Sequence, residues 1–519
     1  MNKPSSYVCP DGAPFPVEWF TPGMAESSWT WDQVKNPVPL TPLSWHFLET
    51  KRAGMARASE QIGRPSPSER IYANGYVFAR SLPVSEELAE RSIGVAAEDE
   101  KRRIDWLLEL WHTEYLPEVE ELIHQLQNWS HAGDTLAEMV GRFPEVDAIS
   151  ERLGELHNLA IVLSGVTMSR FQAFCRDEFG DDGGQIAIDT VAGMPNKSVE
   201  SGIALWDLSR QLPESISDAQ MSASPLLAEF LTEWGQRNES FFEIAYRTWL
   251  EEPSFVLTTL KGYRDSPNER SPTAMQASVA AHRVERTEEA KIRLGHARKV
   301  HTFDQLLRRA QHNTTLMEDH QFHIDQRAHS SLRYPSLAIG DALVIQGTID
   351  SRDDVFYLHP SEFKVAANEP VTRFQSLTKE RRAERERWIG VIPPRHIGGE
   401  PVKTAQTSDL PSVIHGSAAS AGSATGTARV ILTLEDAHRL SPGDVLVTYA
   451  TAPPWTPLFA IAAAIVTDAG GALSHCAIVA REYGIPAVVG ATGATATIAD
   501  GATVSVDGTS GTITLMSRG

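Results

Sequence analysis

The sequence predicts a multidomain protein: a large, mostly α region followed by a small α/β domain. Three observations carry this. The chain has 519 residues, more than one ordinary core holds. From about 84 to 335 apolar residues recur three or four apart, as in Ile104, Leu107, Leu108, Trp111 and Tyr115. Beyond about 412 the composition turns to Ala, Gly, Thr and Val, with short apolar segments between turns.

In chain order, residues 1–80 read as a Pro/Trp-rich N-terminal arm packed on the helical body. Prolines at 37, 39 and 42 make the stretch from Trp29 to Phe47 extended or turning. Residues 81–400 read as the helical domain. A helical run spans about 275–332, broken only near Gly295. Within GDALVIQGTIDSRDDVFYLHPSEF, Val355 to Leu358 reads as a short strand after a turn, and residues 372–388 read as a charged, solvent-facing helix. Residues 401–411 read as a linker, where Pro, Gly, Ser and Thr interrupt the periodicity. In residues 412–519 the segments TGTARVIL, GDVLVTYAT, AAAIVTD, AVVG, ATVSVDG and GTITLM read as strands. SHCAIVAREYG reads as a helix and LEDAHRL as another.

Composition narrows the function class. The formal net charge is −20, which argues against a phosphate-backbone binder, so no nucleic-acid partner is expected. No segment approaches the roughly 20 apolar residues of a spanning helix, and no signal peptide is evident at the N-terminus. No membrane partner is therefore expected. Cys9, Cys175 and Cys476 show no paired spacing, so a reduced, cytoplasmic protein is the expectation.

One short stretch, TDAGGALSHCAIVAREYG, concentrates chemistry. Gly470 and Gly471 follow an apolar strand and permit positive φ and close approach. His475 then falls in the first turn of a helix that stops near Gly484, where free N–H groups favour an anion. Thr467 and Ser474 add hydroxyls. Neutral imidazole is a competent nucleophile near pH 7. A capping or packing role for His475 is equally compatible with the spacing. A metal site is not expected, because no second ligand lies three or four residues away.

TDAGGALSHCAIVAREYGIPAVVG (Thr467–Gly490) resembles the phosphohistidine signature of the swivelling domain of PEP-utilising enzymes, a family that includes PEP synthase, pyruvate phosphate dikinase and rifampin phosphotransferase. The match runs through the glycine pair, Ser-His, and Gly-Ile-Pro-Ala-Val. Cys476 stands where alanine is common. The resemblance implies an enzyme, a phosphotransferase, in which His475 carries the phosphoryl group between two sites and Thr467, Gly470, Gly471 and Ser474 form the phosphate loop. No ATP-grasp region is recognisable in the 519 residues. The order of parts is similar to rifampin phosphotransferase without its ATP-binding domain, and to the histidine/acceptor subunit of split aryl-phosphate synthases. That likeness implies ATP and Mg²⁺ on a separate ATP-grasp subunit and transfer to a small acceptor, a phenol or cresol. An antibiotic or other natural-product acceptor, or a non-catalytic phosphocarrier, is the alternative.

EDHQFHID, within Thr315–His329, resembles a stretch of the aryl-phosphate synthase branch. On an α-helix His320, His323 and Arg327 would share a face. Under the implied chemistry His320 is the expected general base, Asp319 or His323 supports it, and Arg327 meets the phosphoryl group. Glu318 is also possible in that role, but it falls on another face. Arg481 and Glu482 are expected to pair structurally.

Overall fold

A computed structural model describes residues 5–8, 14–19, 21, 23–90, 92, 107–213, 215–368, 373–389, 391–399, 412–471 and 474–517. The linker expected at 401–411, together with Cys9 and Ile104, lies outside the described residues.

The N-terminal segment begins with an antiparallel pair, β1 (Ser5–Val8) and β2 (Pro14–Val17). A second sheet contains β3 (Trp29–Trp31), β4 (Ser68–Ala73), β5 (Tyr76–Ser81) and β6 (His396–Ile397), in the order β4-β5-β3-β6. Phe15, Trp29, Phe78, Trp388 and Ile397 bury against one another around it. The proline-rich stretch is extended as far as Thr41. Pro42 then opens α1 (Pro42–Gln61) at a position where its missing N–H costs nothing.

α1 lies across α2 (Leu136–Phe179), a 44-residue helix started by a capping box of Thr135 and Glu138. Two glycines set the crossing. A Cβ on Gly54 would stand 1.8 Å from the Glu151 carbonyl oxygen, and one on Gly154 1.8 Å from that of Lys51. The backbones therefore touch directly. α3 (Lys197–Gln211) is capped by the Asn196 side chain. α4 (Pro272–Leu294) ends at Gly295, whose φ is +61°, and α5 (Ala297–His320) follows. The break expected near Gly295 is this left-handed cap. After α5 the rod continues as a π-helical stretch, Gln321–Ala328, and reaches α6 (Arg333–Ile345) through a short turn.

The strand expected at 355–358 is instead part of a 3-10 helix, Arg352–Tyr357. Ser351 and Asp354 cap it, and Val355, Phe356 and Tyr357 are all buried. Three consecutive buried residues suit a tight helix wedged into a core; a half-exposed strand would alternate. The charged helix α7 (Arg373–Ile389) spends its charge on the body: Arg381 pairs with Glu362 at 2.7 Å and Arg382 with Asp354 at 2.5 Å.

The C-terminal region is one mixed eight-stranded sheet. Its elements are β7 (Val413–His415), β8 (Ser417–Ser420), β9 (Ser423–Val430), β10 (Val445–Thr448), β11 (Ala464–Thr467), α8 (His475–Tyr483), β12 (Ala487–Val489), β13 (Thr503–Asp507) and β14 (Thr512–Ser517). The order is β7-β14-β13-β9-β10-β11-β12-β8, with β9 to β12 parallel. β10 and β11 are buried on both faces, as their unbroken apolar runs require. LEDAHRL forms a 3-10 helix, Leu434–Arg439.

The sheet region packs on the helical region through one continuous apolar cluster. Trp206, Tyr263 and Phe322 contribute from the body; Trp455, Phe459 and Tyr483 from the sheet region. The Tyr263 hydroxyl donates to the Pro457 carbonyl at 2.8 Å, and the Leu434 N–H donates to Glu239 at 3.0 Å. Among the described residues no helix is long and apolar enough to cross a membrane.

Candidate functional site

Ser474 caps α8, accepting from the Ala477 N–H, and makes His475 its first helical residue. Gly484, at φ +62°, ends the helix. Gly470 has φ +125°, which a side chain would resist, and a Cβ there would press the Ser474 hydroxyl at 3.0 Å. The glycine pair thus turns the chain from β11 into α8. The Thr467 hydroxyl is spent inside the turn, donating to the Ala469 carbonyl at 2.7 Å.

The imidazole of His475 points at the helical region and is only 3 % exposed. Its Nδ1 is 3.1 Å from Oε2 of Glu318, at the C-terminal end of α5. Its Nε2 is 3.3 Å from the Thr456 hydroxyl. Glu318 is fully buried, and its Oε2 also accepts from the Ser198 hydroxyl at 2.6 Å. Burial alone would raise this carboxyl. The charge of His475 and the bonds from His475 and Ser198 outweigh burial and leave it below its ordinary value. Oε1 of Glu318 is buried and has no hydrogen-bond partner among the described residues. One carboxylate oxygen therefore orients the histidine while the other is uncommitted.

The acidic residue opposite His475 is thus Glu318, which sequence spacing had placed on another face. Nothing in the spacing of α5 marks Glu318 as the partner of a residue 157 positions away. Thr456 and Ser198 carry no signal either.

His320 is not beside His475's ring nitrogens. Its Nδ1 donates to the Leu316 carbonyl at 3.0 Å, and its ring lies 5.0 Å from that of His157. It belongs to a buried cluster with His157, Lys51 and Asp325. Asp325 Oδ1 is 2.7 Å from Lys51 Nζ and 2.8 Å from His157 Nδ1. Burial lowers His320 to about 3 and His157 to about 4, so both are neutral. Burial pushes Asp325 up, but His157 and Lys51 beside it hold it well below the usual carboxylate range. Donor atoms of His157, His320 and Asp325 lie within 4.8 Å of one another, a metal-like grouping. Lys51 Nζ already supplies a cation there.

His323 and Arg327 are brought together, but on Glu120. His323 Nδ1 is 3.1 Å from Glu120, and Arg327 donates to Glu120 with its guanidinium 3.2 Å from His323 Nδ1. The His323 bond, with Arg327, outweighs burial and holds Glu120 down at about 2. Asp319 does not orient His323; it accepts from the Lys197 N–H at 2.9 Å, and burial raises it to about 6. The α-helical assumption fails here because residues 321–328 are π-helical, with more residues per turn.

A small cavity lies between the helical region and α8, lined by residues one before Glu318 and three after His475. Ser164, Gly165, Met168, Ala310 and Met317 wall it from the body, and Ile478 and Glu482 from α8. The centres of water molecules have about 40 Å³ inside it. Its walls are mainly apolar, with two uncommitted polar atoms, Asn313 Nδ2 and Glu482 Oε2. Burial raises Glu482 to about 8, so it presents a neutral carboxyl at pH 7. Arg481 also lines the cavity and donates to the Ala419 carbonyl at 2.8 Å.

The chain is similar to known proteins in two stretches. Residues 440–511 match the family described as PEP-utilising enzyme, mobile domain. Residues 157–318 match the rifampicin phosphotransferase fourth domain. The chain is 33% identical to chondramide synthase cmdD of Chondromyces crocatus across 97% of its own length and 14% of that protein. It is 28% identical to an uncharacterized phosphotransferase, YvkC, of Bacillus subtilis, across 92% of this chain and 61% of the relative. It is 26% identical to a rifampicin phosphotransferase of Bacillus cereus, across 72% of this chain and 46% of the relative. The chain therefore spans less than two thirds of the length of each.

Proposed function

We propose that this chain is the histidine and acceptor part of a phosphotransferase, and that His475 passes a phosphoryl group to a small hydroxyl compound. The observation that carries the reading is the His475–Glu318 contact: a histidine at a helix start, in a matched mobile domain, held by a carboxylate that still has a free oxygen. The phosphoryl group is carried on Nε2, since Glu318 occupies Nδ1. His475 is loaded by a separate ATP-grasp subunit holding ATP and Mg²⁺.

In the transfer the Nε2–P bond breaks and an O–P bond to the acceptor forms. Glu318 Oε2 keeps a proton on Nδ1, so the ring leaves as neutral imidazole. Glu318 lies on the Nδ1 edge, away from an in-line attack at Nε2, so the acceptor's hydroxyl proton goes to the phosphoryl oxygens. A phenol, with a pKa of about 10, needs such a proton acceptor at neutral pH. The buried setting excludes water that would otherwise hydrolyse the N–P bond.

The apolar cavity between α8 and the helical region is the proposed acceptor site; at about 40 Å³ it must widen to take phenol or a cresol, since a benzene ring needs about 150 Å³. Gly165 tests this, because a Cβ there meets nothing within 4 Å. With ³²P-labelled protein, phenol or 4-cresol discharges the wild type. Gly165→Leu, which fills the cavity, loads normally and discharges about tenfold or more slowly. Equal discharge rates would remove the cavity from the acceptor site. Persistence of the label with every hydroxyl compound would leave a phosphocarrier. A second reading, a natural-product acceptor, is favoured by the names of the relatives, a chondramide synthase and rifampicin phosphotransferases. Faster discharge by rifampicin than by phenol would select it.

A further inference from the structure

Phosphoryl transfer beside a carboxylate calls for a cation, and Arg327 is committed to Glu120. Arg333 is likewise committed, to Glu251 at 2.8 Å. Arg237 differs. It is 1 % exposed, and its Nε, Nη1 and Nη2 all lack hydrogen-bond partners among the described residues. Aromatic rings surround it: the guanidinium carbon lies 4.1 Å from the Trp249 ring centre, 5.9 Å from Trp234 and 5.6 Å from Phe322. Cation–π contacts offset part of the lost hydration but satisfy no N–H.

The cage adjoins the site already described. Phe322 lies four residues after Glu318 on the same helical rod. Trp234 also stacks under Lys197, whose Nζ is 5.4 Å from its ring centre, and the next residue, Ser198, donates to Glu318. The rod carries further unpaired buried atoms here: Oε1 of Glu318, Oε1 of Gln321, and both amide atoms of Gln326. Uncommitted polar groups thus follow Glu318 along the rod, and a caged, unpaired guanidinium lies against it.

We propose that Arg237 is an oxyanion receptor that takes the phosphoryl oxygens at the transfer site. Its planar fork matches a tetrahedral oxyanion with two or more parallel N–H···O bonds, and the aromatic walls keep water from competing. Burial lowers Arg237 only to about 9, so it is a cation at pH 7 and an anion is the partner it lacks. The role in transfer rests on the reading of His475; binding of phosphate does not.

Isothermal titration of the intact chain with inorganic phosphate, at fixed ionic strength, tests this. Wild type binds one phosphate, and His475→Ala, which cannot be phosphorylated, still binds one. Arg237→Gln binds at least about tenfold more weakly, and Arg237→Lys, a point charge without the fork, falls between. Acetate does not compete. No phosphate binding by wild type, or an unchanged Kd in Arg237→Gln, would overturn the proposal; equal competition by acetate would reassign the site to carboxylates and overturn it too. If Arg237→Gln fails to fold by circular dichroism, Arg237→Lys decides alone: an unchanged Kd rejects the fork. Because His475→Ala is included, phosphate binding stands or falls separately from histidine phosphorylation.

Discussion

Glu318→Gln takes up phosphate on His475 at the wild-type rate and then fails to pass it on. On the proposed reading loading occurs at a separate nucleotide site, away from α5, where Glu318 plays no part. Discharge needs the carboxylate to hold the Nδ1 proton, so that the ring leaves neutral. The amide keeps the size and can still accept from Ser198, so the local packing survives. Loss of the group that keeps the leaving imidazole protonated slows such a step by about 10²–10⁴. Rapid-quench measurement of label loss after acceptor addition gives the rate. A Glu318→Gln rate within a factor of three or so of wild type would remove the carboxylate from the chemistry.

Asp325→Ala produces the largest loss of stability. It leaves Lys51, 1 % exposed, with no counter-charge in the core, beside His157 and His320. Stranding one partner of a buried ion pair costs about 3–5 kcal/mol. Chemical denaturation of wild type and variant measures it, and a change below about 1 kcal/mol would contradict the arrangement. The same cluster sets the acid limit. His157 and His320 have folded values near 4 and 3, below their ordinary 6.5. Groups depressed in this way contribute stability above 6.5, and that contribution is lost as pH falls from 6.5 towards 4 and 3.

Much of the fold was legible because local rules and tertiary structure agreed. Gly295 and Gly484 end helices where left-handed caps are needed, and the apolar runs at Val445–Thr448 and Ala464–Thr467 are buried parallel strands. The edge strands β7 and β8 were not legible; three or four residues of mixed character take their structure from β14 and β12. Val355–Tyr357 misled because β-branched and aromatic residues favour strands, yet the Ser351–Asp354 cap and full burial decided for a 3-10 turn. At the site, the start of α8 at His475 could be read from the flanking glycines. The partner across from it could not. On an α-helix His320, His323 and Arg327 share a face without Glu318, and the π-helical stretch from Gln321 breaks that face: His320 goes to His157, His323 and Arg327 go to Glu120, and Glu318 meets His475. Spacing cannot reveal where a helix changes its pitch.

The central claim is that His475 carries the phosphoryl group on the nitrogen that Glu318 leaves free. Phosphorus–proton correlation NMR of the loaded protein, with peptide mapping of the label, reads both residue and atom. The account predicts a single acid-labile phosphoramidate on Nε2 of His475, absent from His475→Ala. Phosphate on Nδ1, on another residue, or undiminished in His475→Ala would contradict it.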